Sequence, residues 1–357
     1  MGKHRRVISL LVAFAVIVTV VVVAQRIWRE HNRSDLSRAL DVVPSATKRL
    51  SFTDWREVRS ALKIEAGDDP DTDLVDDLIS RAYDADLSAV SSVDESASAL
   101  QEHFGFSPAT ADWEAYAQAD DGATMVLRMP DDFDFDKVRG NLDDLGFTKP
   151  KKEDGIWVGG IDLVAAIDPT ITPELQFVSV LADQHLVVTS DTESYARTAS
   201  RAAQGDAKSL GDLTSAREVV DPLEEPAAAM VWTRDFACSD LAMSQADDDA
   251  RAQAEVLLAN AGKLTPLSGM AMAFGADRSL AVSQLFADKA AAKENLRARA
   301  KLIVGEAPGR GGSFSDDLEL KSSGTEGATV QLRLTPREKA GFVLSAVDSG
   351  PVLFATC

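Results

Sequence analysis

Residues 176–189 read QFVSVLADQHLVVT. Two apolar runs, Gln176–Leu181 and His185–Thr189, flank a short polar link at Asp183-Gln184. Runs rich in Val and Leu on either side of a turn pair as an antiparallel hairpin. Thr192–Ala203 follows with helical spacing and stops at Gly205. The order then returns. Met270–Phe274 and Ser279–Phe286 pair across Asp277-Arg278, and the helical run Lys289–Val304 comes next. Ala182–Thr189 aligns with Ala276–Ser283, and upstream Ala123–Val126 aligns with Ala228–Val231. The expected fold class is therefore α+β, with two diverged strand-helix-hairpin-helix units and mainly antiparallel sheets.

Working outward, the first unit is placed at 121–205. Thr124–Met129 is its first strand, and Phe135, Val138, Leu142 and Leu145 make a helix face closed by Gly146. A connector is expected at 206–226, with Pro222 and Pro226 late in it. The second unit, 227–357, has a strand at Ala228–Thr233 and a helix at Asp247–Ala261. A last hairpin joins Asp317–Lys321 to Ala328–Leu334. Thr335, Pro336 and Glu338 then predict a capped terminal helix carrying Phe342, Val343, Ala346 and Val347. Residues 34–120 read as a linker and helical lead-in. Trp55, Val58 and Leu62 share a face, Asp73–Ala85 is a second helix and Asp94–Phe104 a third, and Asp112-Trp113 repeats the Asp54-Trp55 pair.

Residues 1–33 hold a short tail, an apolar run and a basic flank. Val7–Ala24 (VISLLVAFAVIVTVVVVA) carries no charge, Gly or Pro, and as a helix it is about 27 Å long, close to the hydrocarbon thickness of a bilayer. It is expected to be a single-pass transmembrane signal anchor, with the N-terminus inside and the acidic body extracytoplasmic. The alternative is secretion after signal cleavage near Ala24.

The formal charge is −20. Residues 1–33 carry Lys3, Arg5, Arg6, Arg26, Arg29 and Arg33 against Glu30, so the acidic excess belongs to the body. Such a body is repelled by phosphate backbones, which excludes nucleic acid as the expected partner. The two cysteines, Cys238 and Cys357, are expected to form one disulfide, which an extracytoplasmic compartment permits.

The motifs of common catalytic sites are absent. There is no GxSxG, HExxH, Walker A or CxxC. His103 and His185 have no partners at ligand spacing. Asp132, Asp134 and Asp136 alternate as in a calcium loop, but Lys137 stands where that loop needs Gly, and capping of the next helix explains them more cheaply. Asp68, Asp69, Asp71 and Asp73 read as a loop feeding a helix. No catalytic residue, metal ligand or cofactor is assigned.

The Ala-, Asp- and Arg-rich composition, with one N-terminal anchor before a repeated α+β body, resembles the uncharacterised membrane-anchored extracytoplasmic proteins of high-GC Gram-positive bacteria. That resemblance implies no activity. The expected function is a non-enzymatic binding or scaffold module of the cell envelope, held by residues 7–24 and engaging an envelope protein. The alternatives are a carrier or sensor of an apolar ligand such as a lipid and, third, a hydrolase that works with carboxylates alone.

Overall fold

The computed structural model describes residues 33–243, 246–347 and 350–357. The expected anchor, Val7–Ala24, lies outside them. Among the described residues no helix is long and apolar enough to cross a membrane. Asp35–Cys357 forms one compact unit.

The unit is α+β and is built on one antiparallel sheet. Its strands are β1 (Arg49–Thr53), β2 (Trp113–Ala119), β3 (Gly122–Arg128), β4 (Ile156–Val158), β5 (Phe177–Leu181), β6 (Leu186–Ser190), β7 (Ala228–Thr233), β8 (Gly269–Phe274), β9 (Leu280–Leu285), β10 (Leu318–Glu326) and β11 (Thr329–Pro336). The spatial order is β10-β11-β9-β8-β7-β1-β2-β3-β6-β5-β4.

Helices cover both faces. On one face lie α1 (Asp35–Ala39), α6 (Glu193–Ala203) and α7 (Thr214–Val220), through Leu36, Ala199 and Val219. The other face carries α2 (Trp55–Leu62), α3 (Thr72–Asp84), α4 (Phe135–Asp144), α5 (Ile161–Ile167), α8 (Phe236–Asp240), α9 (Asp248–Ala261), α10 (Lys289–Leu302), α11 (Phe314–Asp317) and α12 (Leu344–Val347). Central strands are therefore apolar at consecutive positions. In β7, Ala228, Met230 and Trp232 face one layer while Ala229 and Val231 face the other, and all are fully buried.

The sheet corrects the expected lead-in. The stretch before residue 121 supplies α2 and α3, but also β1 and β2, which lie in the middle of the sheet. β1 pairs antiparallel with β7, with Ser51 opposite Met230 at the middle of the ladder. Outward from this pair the strands run β1-β2-β3-β6-β5 on one side and β7-β8-β9-β11-β10 on the other. The β5–β6 hairpin therefore occupies the place of β10–β11, and β2–β3 the place of β8–β9. The sequence alignment of Ala182–Thr189 with Ala276–Ser283 joins hairpins at different places in the sheet.

Two smaller expectations also change. The connector at 206–226 contains α7, which packs against β7, β8 and β9. The capped helix after Thr335 is shorter than expected, because β11 runs through Pro336 and α12 begins only at Leu344. Asp86 supplies the α12 cap instead. Its carboxylate accepts hydrogen bonds from Leu344 N at 2.6 Å and Ser345 N at 3.2 Å.

Candidate functional site

The site is built where the body begins. β1 ends at Thr53, and the next residue, Asp54, stays extended while its carboxylate accepts a hydrogen bond from Glu57 N at 2.8 Å. This N-cap starts α2 and puts Arg56 on its first turn. α1 lies alongside. Asp35 accepts from Arg38 Nη1 at 2.7 Å, and its second oxygen takes the Arg56 guanidinium. A third segment arrives from the loop before β7, where Glu225 Oε1 accepts from Asp35 N at 2.8 Å.

One oxygen from each of Asp35, Asp54 and Glu225 lies within 4.8 Å of the others. Asp35 and Asp54 are buried, whereas Glu225 is exposed as a residue but turns its carboxylate inward. Burial pushes the Asp54 carboxyl up to about 6, against the opposing pull of its Glu57 hydrogen bond and Arg56. Burial, with Asp35 and Asp54 close by, pushes Glu225 up to about 7. Arg56 works against its own desolvation, and Asp54, Asp35 and Asp112 hold it above its usual value.

In front of this cluster is a cleft of about 600 Å³. Arg38, Arg56 and Arg128 rim it, and Val42, Trp113 and Leu186 give it an apolar floor. Asp35 is the member of the carboxylate trio that lines it. Asp112 and Asp131 also reach it, and Asp131 is paired with Arg128 Nη2 at 3.0 Å. Arg38 and Arg56 are about half exposed. Asp54 and Glu225 thus lie behind Asp35, while the cleft lining itself sets three aspartates, Asp35, Asp112 and Asp131, among the three arginines. This arrangement holds charge and presents arginine forks, which suit carboxylate or phosphate groups on a ligand.

Cys238 and Cys357 stand at bonding distance, 119 residues apart in sequence, with Cα atoms 5.6 Å apart. They join α8 to the chain end, far in sequence from the cleft residues Asp35 and Arg128. Asp134 caps α4, accepting from Asp136 N and Lys137 N at 3.0 Å each. Asp71 caps α3 in the same way, through Leu74 N. His185 takes the left-handed turn position (φ 55°), with Nδ1 3.7 Å from Asp131 Oδ1. His103 lies in the last turn of the helical segment Leu100–Phe104. Neither histidine belongs to the carboxylate trio.

The sequence analysis missed Asp35, Asp54 and Glu225 as a group. Asp54 was legible as a cap, but no spacing rule joins residues 190 positions apart.

No protein family matches the chain, and no curated protein does. Among solved structures it is similar to crystal form I of TP0453, with 9% identity and a TM-score of 0.41 over 86% of this chain and 95% of the other. Crystal form III of the same protein gives 10% identity and a TM-score of 0.39 over 86% and 96%.

Proposed function

We propose that the chain is a membrane-anchored, extracytoplasmic, non-enzymatic binding module of the cell envelope, and that the arginine-rimmed cleft is where it engages a partner protein. The observation that carries this is the cleft itself. In a chain of net charge −20, three guanidiniums converge on one opening with an apolar floor, where three aspartates balance them, so the cleft is free of the acidic excess of the chain. A partner surface combining a charged group with an apolar side chain would meet both. The apolar run Val7–Ala24 supports the anchor, and the Cys238–Cys357 pair supports an oxidising compartment. The matching strand order on either side of β1–β7 supports two diverged copies of one unit. The apolar-ligand carrier gains no comparable support, since the sheet is covered on both faces by packed side chains.

The test is site-specific photocrosslinking in cells. A photoreactive residue at Gln184, on the cleft wall, should capture one discrete envelope protein, and one at Lys293, on the exposed side of α10, should not. Equal labelling at both positions, or none at Gln184, would remove the binding reading. Labelling with a membrane-impermeant maleimide after reduction of intact cells checks the address of the body.

A further inference from the structure

The arginine rim and the buried carboxylates share one residue. Asp35 lines the cleft and binds Arg38 and Arg56, while Asp54 and Glu225 crowd it from behind. Asp35 pairs with both guanidiniums, Asp54 lies 4.0 Å from Arg56 and Glu225 sits against Asp35 N, so three carboxylates face two guanidiniums. Fully ionised, the group carries a surplus negative charge directly behind the rim. One proton balances it, and a second leaves the rim net positive. The other charged groups around the cluster do not supply the missing counter-charge: on the cleft wall Asp112 and Asp131 offset Arg59 and Arg128. On α2, Glu57 raises and Arg56 lowers the proton affinity of Asp54. Arg59, further along α2, acts through Asp112 as well as Asp54. In the loop before β7, Glu224 is paired with Arg333 of β11 at 2.9 Å. At the end of α7, Asp221 accepts from Ser37 Oγ of α1 at 3.0 Å.

We propose that proton uptake by Asp54 and Glu225, packed against Asp35, gates the cleft, so that Arg38 and Arg56 bind an acidic segment of the partner in mildly acidic medium and release it at neutral to alkaline pH. This rests on the binding reading above and adds the chemistry of the partner and its control. With the cluster protonated, the guanidiniums share one negative carboxylate and direct the rest of their charge into the cleft. With Asp54 and Glu225 ionised, that charge is spent inward. The titrating groups sit in the range the gate needs, near 6 and 7.

The experiment uses the full chain in detergent and a rhodamine-labelled oligo-aspartate peptide, whose carboxylates stay ionised from about pH 5.5 to about pH 8. Fluorescence anisotropy should show binding roughly fivefold tighter at the acidic end, the size of one screened charge near a surface. Glu225→Gln, which keeps the shape of the protonated side chain, should tighten binding at the alkaline end and shrink the pH dependence to the step that Asp54 retains. Asp54→Asn, which keeps the cap, should do the same, with Glu225 retaining the step, if Glu225→Gln does not fold. Arg56→Gln should bind weakly throughout. If the wild-type affinity is flat with pH while Arg56→Gln still weakens it, the gate is wrong and the cleft stands. If Glu225→Gln and Asp54→Asn both follow the wild-type pH curve, the gate is likewise wrong. If Arg56→Gln binds like wild type, the cleft itself is wrong.

Discussion

The two halves of the sheet share a strand order but are held together by different chemistry. Taking Ser51 and Met230 as the centre of the β1–β7 ladder, Thr53 and Trp232 stand at equivalent positions. Their next neighbours are Glu114 on β2 and Met270 on β8. The first half thus buries a carboxyl where the second buries a thioether. Glu114 is held by Trp55 Nε1 at 2.9 Å and Ser92 N at 2.8 Å. In the second half a charged group, Arg299 of α10, is fully buried, and it donates to Phe354 O and Thr356 O near the chain end and to Thr265 O. One half meets its buried carboxyl with one side-chain donor and one backbone donor, and burial favours its protonated form. The other wraps the C-terminal segment around a guanidinium and ties it down with sulfur.

The largest expected effect tests that tie. Reducing the Cys238–Cys357 bridge, or the Cys357→Ser change, should cost about 4–5 kcal/mol in the chain-entropy model. Denaturant titration of the oxidised and reduced protein measures it. Hydrogen exchange should rise first at Val352–Ala355 and α8, in the second half. A uniform rise across both halves would show that they do not differ in this way.

Arg299→Met comes next. Arg299 is fully buried, and burial lowers its pKa to about 10, so it stays charged at neutral pH. Removing it strips the donor from Thr265 O and Thr356 O, while Phe354 O keeps Gln284 Nε2 at 2.8 Å, at a cost of about 3 kcal/mol. If the oxidised Arg299→Met protein melts like wild type, the guanidinium does not hold the second half together.

The first half should respond to pH instead. Burial pushes Glu114 up to about 7 from an ordinary 4.5. The folded state then binds the proton more tightly than the unfolded chain, so stability is greatest below about 4.5 and is lost as pH rises towards 7. The contribution is about 3 kcal/mol across that window. Asp54 adds to it with the same sign. In the second half, Asp277 and Glu319 shift the other way, each lowered by a local hydrogen bond. Thermal melts over this range should fall with rising pH, and Glu114→Gln should flatten about a third of the slope, with Glu225 and Asp54 carrying the rest. An unchanged slope in that variant would place the titration elsewhere.

How much of this contrast the sequence carried depends on which faces are wet. β10 and β11 were legible, since Val330, Leu332 and Leu334 alternate with Gln331 and Arg333 near an open edge. β1 and β2 were not. RLSFT is short, and WEAYAQA has few β-branched residues and mixes Ala with Glu, as helices do. Both strands lie mid-sheet, where neighbours on two faces override local preference. Missing them shifted the repeat by one hairpin, because β5–β6 resembles β8–β9 in composition while matching β10–β11 in place. The disulfide was read from two cysteines and a compartment. The carboxylate cluster behind the cleft was not, since its members come from α1, the start of α2 and the loop before β7, which meet only once β1 and β7 pair.

The smallest expected effect sharpens the comparison where the halves agree. α4 follows β3 and α10 follows β9, at matching places in the two strand orders. Asp134 caps α4 by accepting from the second and third residues beyond it, Asp136 N and Lys137 N. Asp288 caps α10 from the same positions, Ala290 N and Ala291 N, at 2.8 Å each. These carboxylates are structural counterparts, and neither belongs to the cluster behind the cleft. Asp134→Ala and Asp288→Ala should therefore each cost about 1 kcal/mol, with Asn restoring most of the loss in both. The two losses should add in the double variant, since the caps serve separate helices. Calcium should leave the Asp134→Ala cost unchanged; a calcium-dependent rise in wild-type stability that this variant abolishes would make Asp132–Asp136 a metal loop rather than a cap. Unequal costs at the two positions would mean that the halves have diverged in their helix starts as well as in their buried charges.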